Sequence, residues 1–224
     1  NTAIGSYNAL AANTTGGSNV AVGREALQAN TTASSNTAIG YQALVATTTA
    51  GDNTGVGSQV MATNTTGSSN TAMGVTAFLN NTTGSQNTAF GKDALRSNTT
   101  ASSNTAIGYN AFYSGTTGGS VVAIGVSSAN TLATGSNGIY IGAASTSSST
   151  SVSSEIVIAT NGPTGKGANT ALINANNGST FNGANTTTFA TTSDQRLKKN
   201  ITDNTIQKTT DKFSKKLCNF LKFD

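Results

Sequence analysis

The residues best suited to chemistry lie close together near the C-terminus. They are one serine, one aspartate and three basic residues: Ser193, Asp194, Arg196, Lys198 and Lys199. A serine hydroxyl becomes a nucleophile when a neutral amine takes its proton, and a lysine is neutral only where burial or nearby positive charge disfavours its ammonium form. Arg196 and Lys199 supply such charge. The same residues also fit a helix N-cap with a charged first turn, so spacing alone leaves both interpretations open.

The chain upstream, which has to position this group, is built from a repeat. Each repeat carries Asn-Thr-Ala-Ile-Gly or a close variant, and its glycine recurs after one step of 18 residues and then every 17. The glycines are Gly5, Gly23, Gly40, Gly57, Gly74, Gly91, Gly108, Gly125 and Gly142. A short fixed period is typical of units that bury their apolar side chains by stacking on their neighbours. The sequence therefore predicts a rod.

Two apolar positions recur in each repeat, one directly before the glycine and one shortly after it, as Ile39 and Leu44 illustrate. This spacing is too sparse for an amphipathic helix, and Gly, Asn, Ser and Thr bound the apolar pieces as they bound short strands. We therefore predict an all-β roll or solenoid with two short strands per coil and both apolar positions pointing inward. The glycine is expected at a tight bend or a close backbone approach.

The pattern changes along the chain and predicts four segments. They are a β-roll repeat domain at 1–144, a Ser/Thr linker or long turn at 145–154, a β-rich neck at 155–192 and a C-terminal segment at 193–224. In the last segment glycine disappears and charges become dense. Four apolar residues there fall near one face of a short predicted helix that starts around Asp203. They are Ile206, Phe213, Leu217 and Leu221.

Composition favours self-association. Tryptophan and histidine are absent, 25 of 224 residues are glycine and 9% are charged. A single thin coil of such a chain buries a small core, so we expect several coils to share one.

Charge argues against a nucleic-acid partner. The net charge is +4, yet residues 1–193 carry equal numbers of basic and acidic residues, so the excess lies entirely beyond them. The balanced residues are Arg24, Lys92, Arg96 and Lys166 against Glu25, Asp52, Asp93 and Glu155. No basic stripe with interleaved aromatic residues follows the rod, as a nucleic-acid surface requires.

Other classes are also disfavoured. Cys218 is a single cysteine, interpreted as a small apolar residue near the end of the predicted helix. There is no signal peptide and no apolar run long enough to span a bilayer, so no membrane insertion is expected. Calcium-binding rolls need an aspartate in nearly every repeat, whereas this rod has Asp52 and Asp93, so neither metal nor cofactor is expected. The chain begins inside a repeat and without Met, and we expect it to be a piece of a longer protein.

Two recurring surface patterns have a structural and a functional interpretation. Recurring Asn-Thr-Thr runs, such as those at Asn13, Asn30 and Asn98, match the N-glycosylation acceptor, but the repeat makes them recur and a turn role is favoured. Three tyrosines lie just after the glycine of their repeats: Tyr7, Tyr41 and Tyr109. They could line a carbohydrate-binding face, or stack between the chains of an oligomer, which is the commoner arrangement.

The run from Ser193 to Ile201 reads Ser-Asp-Gln-Arg-Leu-Lys-Lys-Asn-Ile. It resembles the opening of the self-cleaving intramolecular chaperone domain found at the C-terminus of phage tail fibres and tailspikes, including endosialidases. That family's pattern is Ser-Asp-x-Arg-Leu-Lys-x-Asn-Ile, and every defined position is matched. The repeats are similar to the β-roll heads of trimeric adhesins and the shafts of such fibres. Because residues 194–224 are shorter than that domain, the chain is expected to carry its truncated start or a degenerate form of it.

The resemblance implies a homotrimer, because the chaperone domain of the family assembles three chains before it is released by cutting. It implies cleavage between Ser193 and Asp194, with Ser193 and Lys198 as the catalytic dyad of a single-turnover, self-cleaving serine peptidase. A serine that attacked its own carbonyl would close a strained four-membered ring. We therefore expect the attack to come from a neighbouring chain.

The function expected from the repeats and this resemblance is a structural, receptor-binding trimeric fibre on a virion surface, with a host-cell receptor such as a glycan as partner. A trimeric adhesin on a bacterial surface is the alternative, which predicts a C-terminal coiled coil and a membrane anchor. An ice-binding solenoid is a remote alternative suggested by the threonines. It predicts flat Thr-x-Thr strands and leaves the motif at 193–201 unexplained.

Overall fold

The computed structural model is a parallel β-solenoid, which confirms the predicted all-β repeat fold. It describes residues 1–5, 7–160, 162–175, 178–182 and 190–191, and this part of the chain contains no helix. Thirteen strands of the described residues form one sheet in sequential order. They are β1 (Thr2–Ile4), β2 (Val20–Val22), β3 (Thr37–Ile39), β4 (Thr54–Val56), β5 (Thr71–Met73), β6 (Thr88–Phe90), β7 (Thr105–Ile107), β8 (Val122–Ile124), β9 (Ile139–Ile141), β10 (Ile156–Ala159), β11 (Ala171–Ala175), β12 (Gly178–Asn182) and β13 (Ala190–Thr191).

Each coil from β1 to β9 contributes one three-residue strand, which pairs in parallel with the equivalent strand of the next coil. In the register of β3 and β4, for example, Thr37 pairs with Thr54 and Ile39 with Val56. The expectation of two strands per coil is wrong. The second apolar piece instead lies in a chain of turns in which Gln42 and Leu44 both have φ of 53°, a left-handed conformation that no strand adopts.

The core contains the second apolar position but not the first. Leu44 is fully buried, as is Ala38 in the middle of β3, whereas Ile39 is 38% exposed. Side chains alternate across a strand, so an inward central residue sends both of its neighbours outward. The inward place is small: a Cβ added to Gly55, the equivalent of Ala38, would already lie 3.3 Å from the Leu44 side chain. The expectation that both apolar positions point inward is therefore half wrong.

Two ladders of buried asparagines run along the inside of the rod. The first consists of Asn19, Asn36, Asn53, Asn70, Asn87 and Asn104, all at most 1% exposed. Asn53 Oδ1 accepts the backbone N–H of Asn70 (3.0 Å), and Asn70 Nδ2 donates to the carbonyl of Gly84 (2.9 Å). The amides thus satisfy backbone groups that would otherwise be buried without partners.

The second ladder is interrupted at Thr47 and ends before Gly115. It consists of Asn13, which is half-buried, and the buried residues Asn30, Asn64, Asn81 and Asn98. Asn98 Nδ2 donates to Asn81 Oδ1 (3.2 Å) and to the Ala101 carbonyl (3.1 Å). Asn30 and Asn98 are the ladder residues just before Thr47 and Gly115, and the amide oxygen of each has no hydrogen-bond partner. The reason is that neither Thr47 nor Gly115 has a side-chain amide N–H.

Residues 145–154, expected as a linker or long turn, stack on the coil before them. Ser145 and Val152 are buried, and the carbonyl of Thr150 accepts the N–H of Ala133 at 2.7 Å. Strands β10 and β11 continue the parallel sheet, and β11 to β13 pair antiparallel. The predicted C-terminal helix lies outside the described residues.

Candidate functional site

The residues predicted to carry chemistry lie outside the described residues. These are Ser193, Asp194 and Lys198, together with Arg196, Lys199 and Cys218. The cleavage site and the dyad therefore stay predictions from the sequence. The described part of the chain offers a different candidate, a surface.

We define the strand face by two sets of residues. The first set is the outward first and third residues of β1–β11. The second set, in β2–β10, is the residue two positions after the third, such as Tyr41 after Ile39. The third residues form an unbroken apolar ladder: Ile4, Val22, Ile39, Val56, Met73, Phe90, Ile107, Ile124, Ile141, Ile158 and Ile173. Phe90 is 45% exposed and Ile173 is 43% exposed. Eight of the eleven ladder residues are exposed and Val22, Val56 and Ile141 are half-buried. Large exposed apolar patches are typical of interaction surfaces, so this face is the candidate site.

The composition of the strand face changes along the rod. Six of the first seven strands begin with threonine: Thr2, Thr37, Thr54, Thr71, Thr88 and Thr105. From β8 onward the first residue is apolar: Val122, Ile139, Ile156 and Ala171. The two charged residues that follow the glycine, Arg24 and Lys92, belong to the N-terminal coils, whereas Val126 and Ala143 occupy that position after β8 and β9. The C-terminal third is therefore the more apolar part.

A groove of about 280 Å³ opens in this C-terminal third. Its lining includes three consecutive ladder residues, Ile141, Ile158 and Ile173, with Gly142 and Ala159 beside them. The walls are almost entirely apolar, so the groove fits an apolar side chain better than a polar ligand.

The N-terminal coils carry a stack of aromatic and basic side chains beside the ladder. The Arg24 guanidinium carbon lies 5.2 Å from the centre of the Tyr7 ring and 5.8 Å from that of Tyr41. Arg24 Nε also pairs with Glu25 Oε1 at 3.1 Å. Hydrogen bonds from Gln42 and then Arg24 lower the pKa of Glu25. Tyr7 and Tyr41 are 55% and 42% exposed, so one chain alone does not bury them.

The buried carboxylate of Glu155 links the last coils through hydrogen bonds, and this link was not predicted from the sequence. Glu155 is fully buried, and its Oε2 accepts the Tyr140 hydroxyl (3.2 Å) and the Ser148 N–H (3.0 Å). Its Oε1 accepts the Gly167 N–H at 2.7 Å. Tyr140 takes the inward strand position that alanine holds in most coils. The sequence did contain a signal for this contact. Tyr140 stands where most coils have alanine, and Gly138, two residues before it, stands where the first ladder has asparagine.

We expect Tyr140 to make the rod sensitive to alkali. Burial, then the charge of Glu155 and their hydrogen bond, raise the pKa of Tyr140 above the value near 10 of an unfolded tyrosine. The folded state therefore holds this proton when the unfolded state has lost it. Stability is unaffected below about pH 10 and falls above it, by at most about 1.4 kcal/mol per pH unit.

Denaturant unfolding at intervals between pH 8 and pH 11.5 checks this. Tyr140→Phe should flatten the decline above pH 10 relative to the wild type, although it lowers stability at neutral pH by about 1 kcal/mol because a hydrogen bond to Glu155 is lost. Tyr41→Phe, at an exposed ring, should leave the slope unchanged. Equal slopes in the wild type and Tyr140→Phe would contradict the assignment.

The Asn-Thr-Thr runs have a structural role in the rod. Asn30 and Asn98 are fully buried, and Asn30 Nδ2 donates to Asn13 Oδ1 at 2.7 Å. An oligosaccharide on these nitrogens is incompatible with the stacked coils. The second ladder thus accounts for the recurrence of the motif.

Among the described residues, no group of three or more His, Cys, Asp or Glu side chains is placed to hold a metal ion. No helix in the same part of the chain has the length and hydropathy needed to cross a bilayer. Comparison with protein-family models, with curated proteins and with solved structures found no match. The fold places the chain in the class of parallel β-solenoids.

Proposed function

We propose that the chain is a homotrimeric fibre of a virion, structural and receptor-binding, whose three rods meet along the strand face. The observation that carries this proposal is the unbroken apolar ladder from Ile4 to Ile173, which is exposed at eight of its eleven residues and half-buried at Val22, Val56 and Ile141. Water-facing aliphatic and aromatic residues at every coil are costly for a monomer, and burying them against other rods removes that cost.

The dimensions of the strand face agree with a stable interface. Eleven coils that each rise by about 4.8 Å give a length of about 50 Å, and the four residue steps from Thr37 to Tyr41 give a width of about 13 Å. The product is about 650 Å² on each chain, which each chain divides between its two neighbours. Over three chains the strand faces supply about 1,950 Å², compared with the roughly 1,600 Å² that a standard two-partner interface buries in total. Tyr41 belongs to this face and Tyr7 lies beside it, stacked on the same Arg24 side chain, so a neighbouring chain would cover both exposed rings.

Maturation by self-cleavage is the second part of the proposal, and the motif at 193–201 supports it. The hydroxyl of Ser193 in one chain attacks the Ser193 carbonyl carbon of a neighbour while Lys198 takes the proton. The bond to Asp194 breaks, and the new amino group of Asp194 leaves with a proton. Water then hydrolyses the ester. Chains that are cut only after assembly become kinetically trapped in the trimer.

Native mass spectrometry of the purified chain tests both parts, since it gives stoichiometry and chain mass together. We expect a trimer whose subunits end at Ser193, whereas Ser193→Ala should give a trimer of intact 22.3 kDa chains. A stable monomer would overturn the fibre and favour a single-chain solenoid such as an ice-binding protein. A trimer that stays intact without the substitution would remove the cleavage alone.

A further inference from the structure

We propose that a second copy of the chain docks on the C-terminal third of the strand face, at β8–β11, and that this third holds the trimer together. The inference rests on the proposed homotrimer and adds where its binding energy lies. The N-terminal coils contact the other chains along the same face but contribute less to the binding free energy.

The first argument is the chemistry of the two outward positions of each strand. In β9 both are isoleucine, Ile139 and Ile141, and in β10 they are Ile156 and Ile158. In six of the first seven strands one of the two is threonine, whose hydroxyl has to lose water when the face is covered. Transfer of apolar surface out of water is favourable at about 25 cal/mol per Å², whereas burial of an unpaired hydroxyl opposes association. Each C-terminal coil therefore contributes more than an N-terminal one.

The second argument is charge. Arg24 and Lys92 stand beside the N-terminal part of the ladder with side chains that are 58% and 59% exposed. A chain that covers them has to desolvate two cations. Between Arg96 and Glu155 the sequence carries no charged residue, and Glu155 itself is buried inside the rod. The face at β8–β10 is therefore free of this cost.

The groove and the spacing of the ladder indicate the occupant. The lining of the groove by Ile141, Ile158 and Ile173 makes it a place for aliphatic side chains of an opposing ladder. Four coils alone offer about 250 Å² of flat face, well below the roughly 800 Å² per partner of a standard interface. A stable partner therefore has to follow the remaining coils too, in steps of about 4.8 Å. A copy of this rod has that period over its whole length.

The repeats supply substitutions that the fold tolerates, because threonine is the native residue at the first strand position in six coils. The test is Ile139→Thr combined with Ile156→Thr in the full chain. We expect unchanged circular dichroism and at least a hundredfold rise in the concentration at which half of the trimer dissociates, measured by sedimentation or native mass spectrometry across a dilution series.

A matched pair then separates position from chemistry. Val20→Thr and Val122→Thr make the same change at the same strand position, in β2 and in β8. Val122→Thr should raise the dissociation concentration about tenfold and Val20→Thr less than twofold. Equal effects of the pair, or a double variant that dissociates like the wild type, would overturn the inference while the trimer itself stands. A wild-type chain that is monomeric at every concentration would instead remove the proposed function.

Discussion

Gly74→Ala is expected to destabilise the rod by about 4 kcal/mol, from backbone strain of about 1–3 kcal/mol and overpacking of about 1–3 kcal/mol. Gly74 has φ of +134°, a conformation that L residues rarely adopt, and an added Cβ would lie 2.6 Å from both the carbonyl carbon and oxygen of Gly91. Neither backbone is free to move, because Gly91 N–H donates to the Met73 carbonyl at 2.8 Å and Gly74 N–H to that of Val56 at 2.9 Å.

Since each coil contacts its neighbours alone, the damage should be local. Hydrogen exchange should show lost protection in the coils of Gly74 and Gly91 and retained protection in distant coils, and denaturant unfolding should give the loss of stability. Gly17→Ala is the matched control, because a Cβ added there has no heavy atom within 4 Å and its φ is not in the left-handed region. Its effect should stay within about 0.5 kcal/mol. If Gly74→Ala and Gly17→Ala are equally stable, the repeat glycines are not required for close stacking of the coils.

The coil and its stacking were predictable because they follow from the period itself. A residue such as Gly40, repeated every 17 positions, has to lie at the same place in each coil, and the predicted close backbone approach occurs there. A Cβ added to Gly57 or Gly74 would meet the glycine of the next coil. No knowledge of side-chain direction was needed for this step.

The direction of the side chains was not predictable from hydrophobicity, because Ile39 and Leu44 are equally apolar. A different signal separates them. The ladder position accepts β-branched residues such as Ile39, whereas the position of Leu44, Phe78 and Phe112 holds no β-branched residue in the coils from Leu10 to Ala129. That position has φ between 49° and 53° in these three residues, where a branched Cβ is strained most. The outward ladder also accepts unbranched residues, Met73 and Phe90. The signal is therefore the lack of Cβ-branched residues at the other apolar position, which marks it as the one in the left-handed turn.

The candidate surface shows the same limit. Its ladder is visible in the sequence as a list of apolar residues, but it becomes a surface only when the small inward residue, such as Ala38, is known to send Ile39 outward. Glu155 was counted as one of the acidic residues that balance the charge of the rod, because nothing adjacent in sequence shows that Tyr140 and Gly167 enclose it. Contacts between residues 12 or 15 positions apart depend on the exact stacking of coils.

Asn70→Asp is expected to cost about 3 kcal/mol or more at pH 7, although the two side chains have nearly the same shape. Asn70 is fully buried, and its Nδ2 donates to the Gly84 carbonyl (2.9 Å) and to Asn53 Oδ1 (3.2 Å). The substitution replaces that donor with an oxygen that faces two other oxygens. A buried acceptor without a donor costs about 1–3 kcal/mol, and more when it is charged.

The pH dependence of this loss identifies its cause. Burial and the facing oxygens raise the folded-state pKa of an aspartate at position 70 above its usual value near 3.9. Protonation restores one donor, so the deficit relative to the wild type is largest at neutral pH and shrinks as the pH falls through that raised pKa. Denaturant midpoints at pH 7 and pH 4 measure it. Asn137→Asp makes the same chemical change at an exposed position and should shift stability by less than about 0.5 kcal/mol. If both variants lose the same stability at pH 7, the buried amide ladder is not what holds the coils in register.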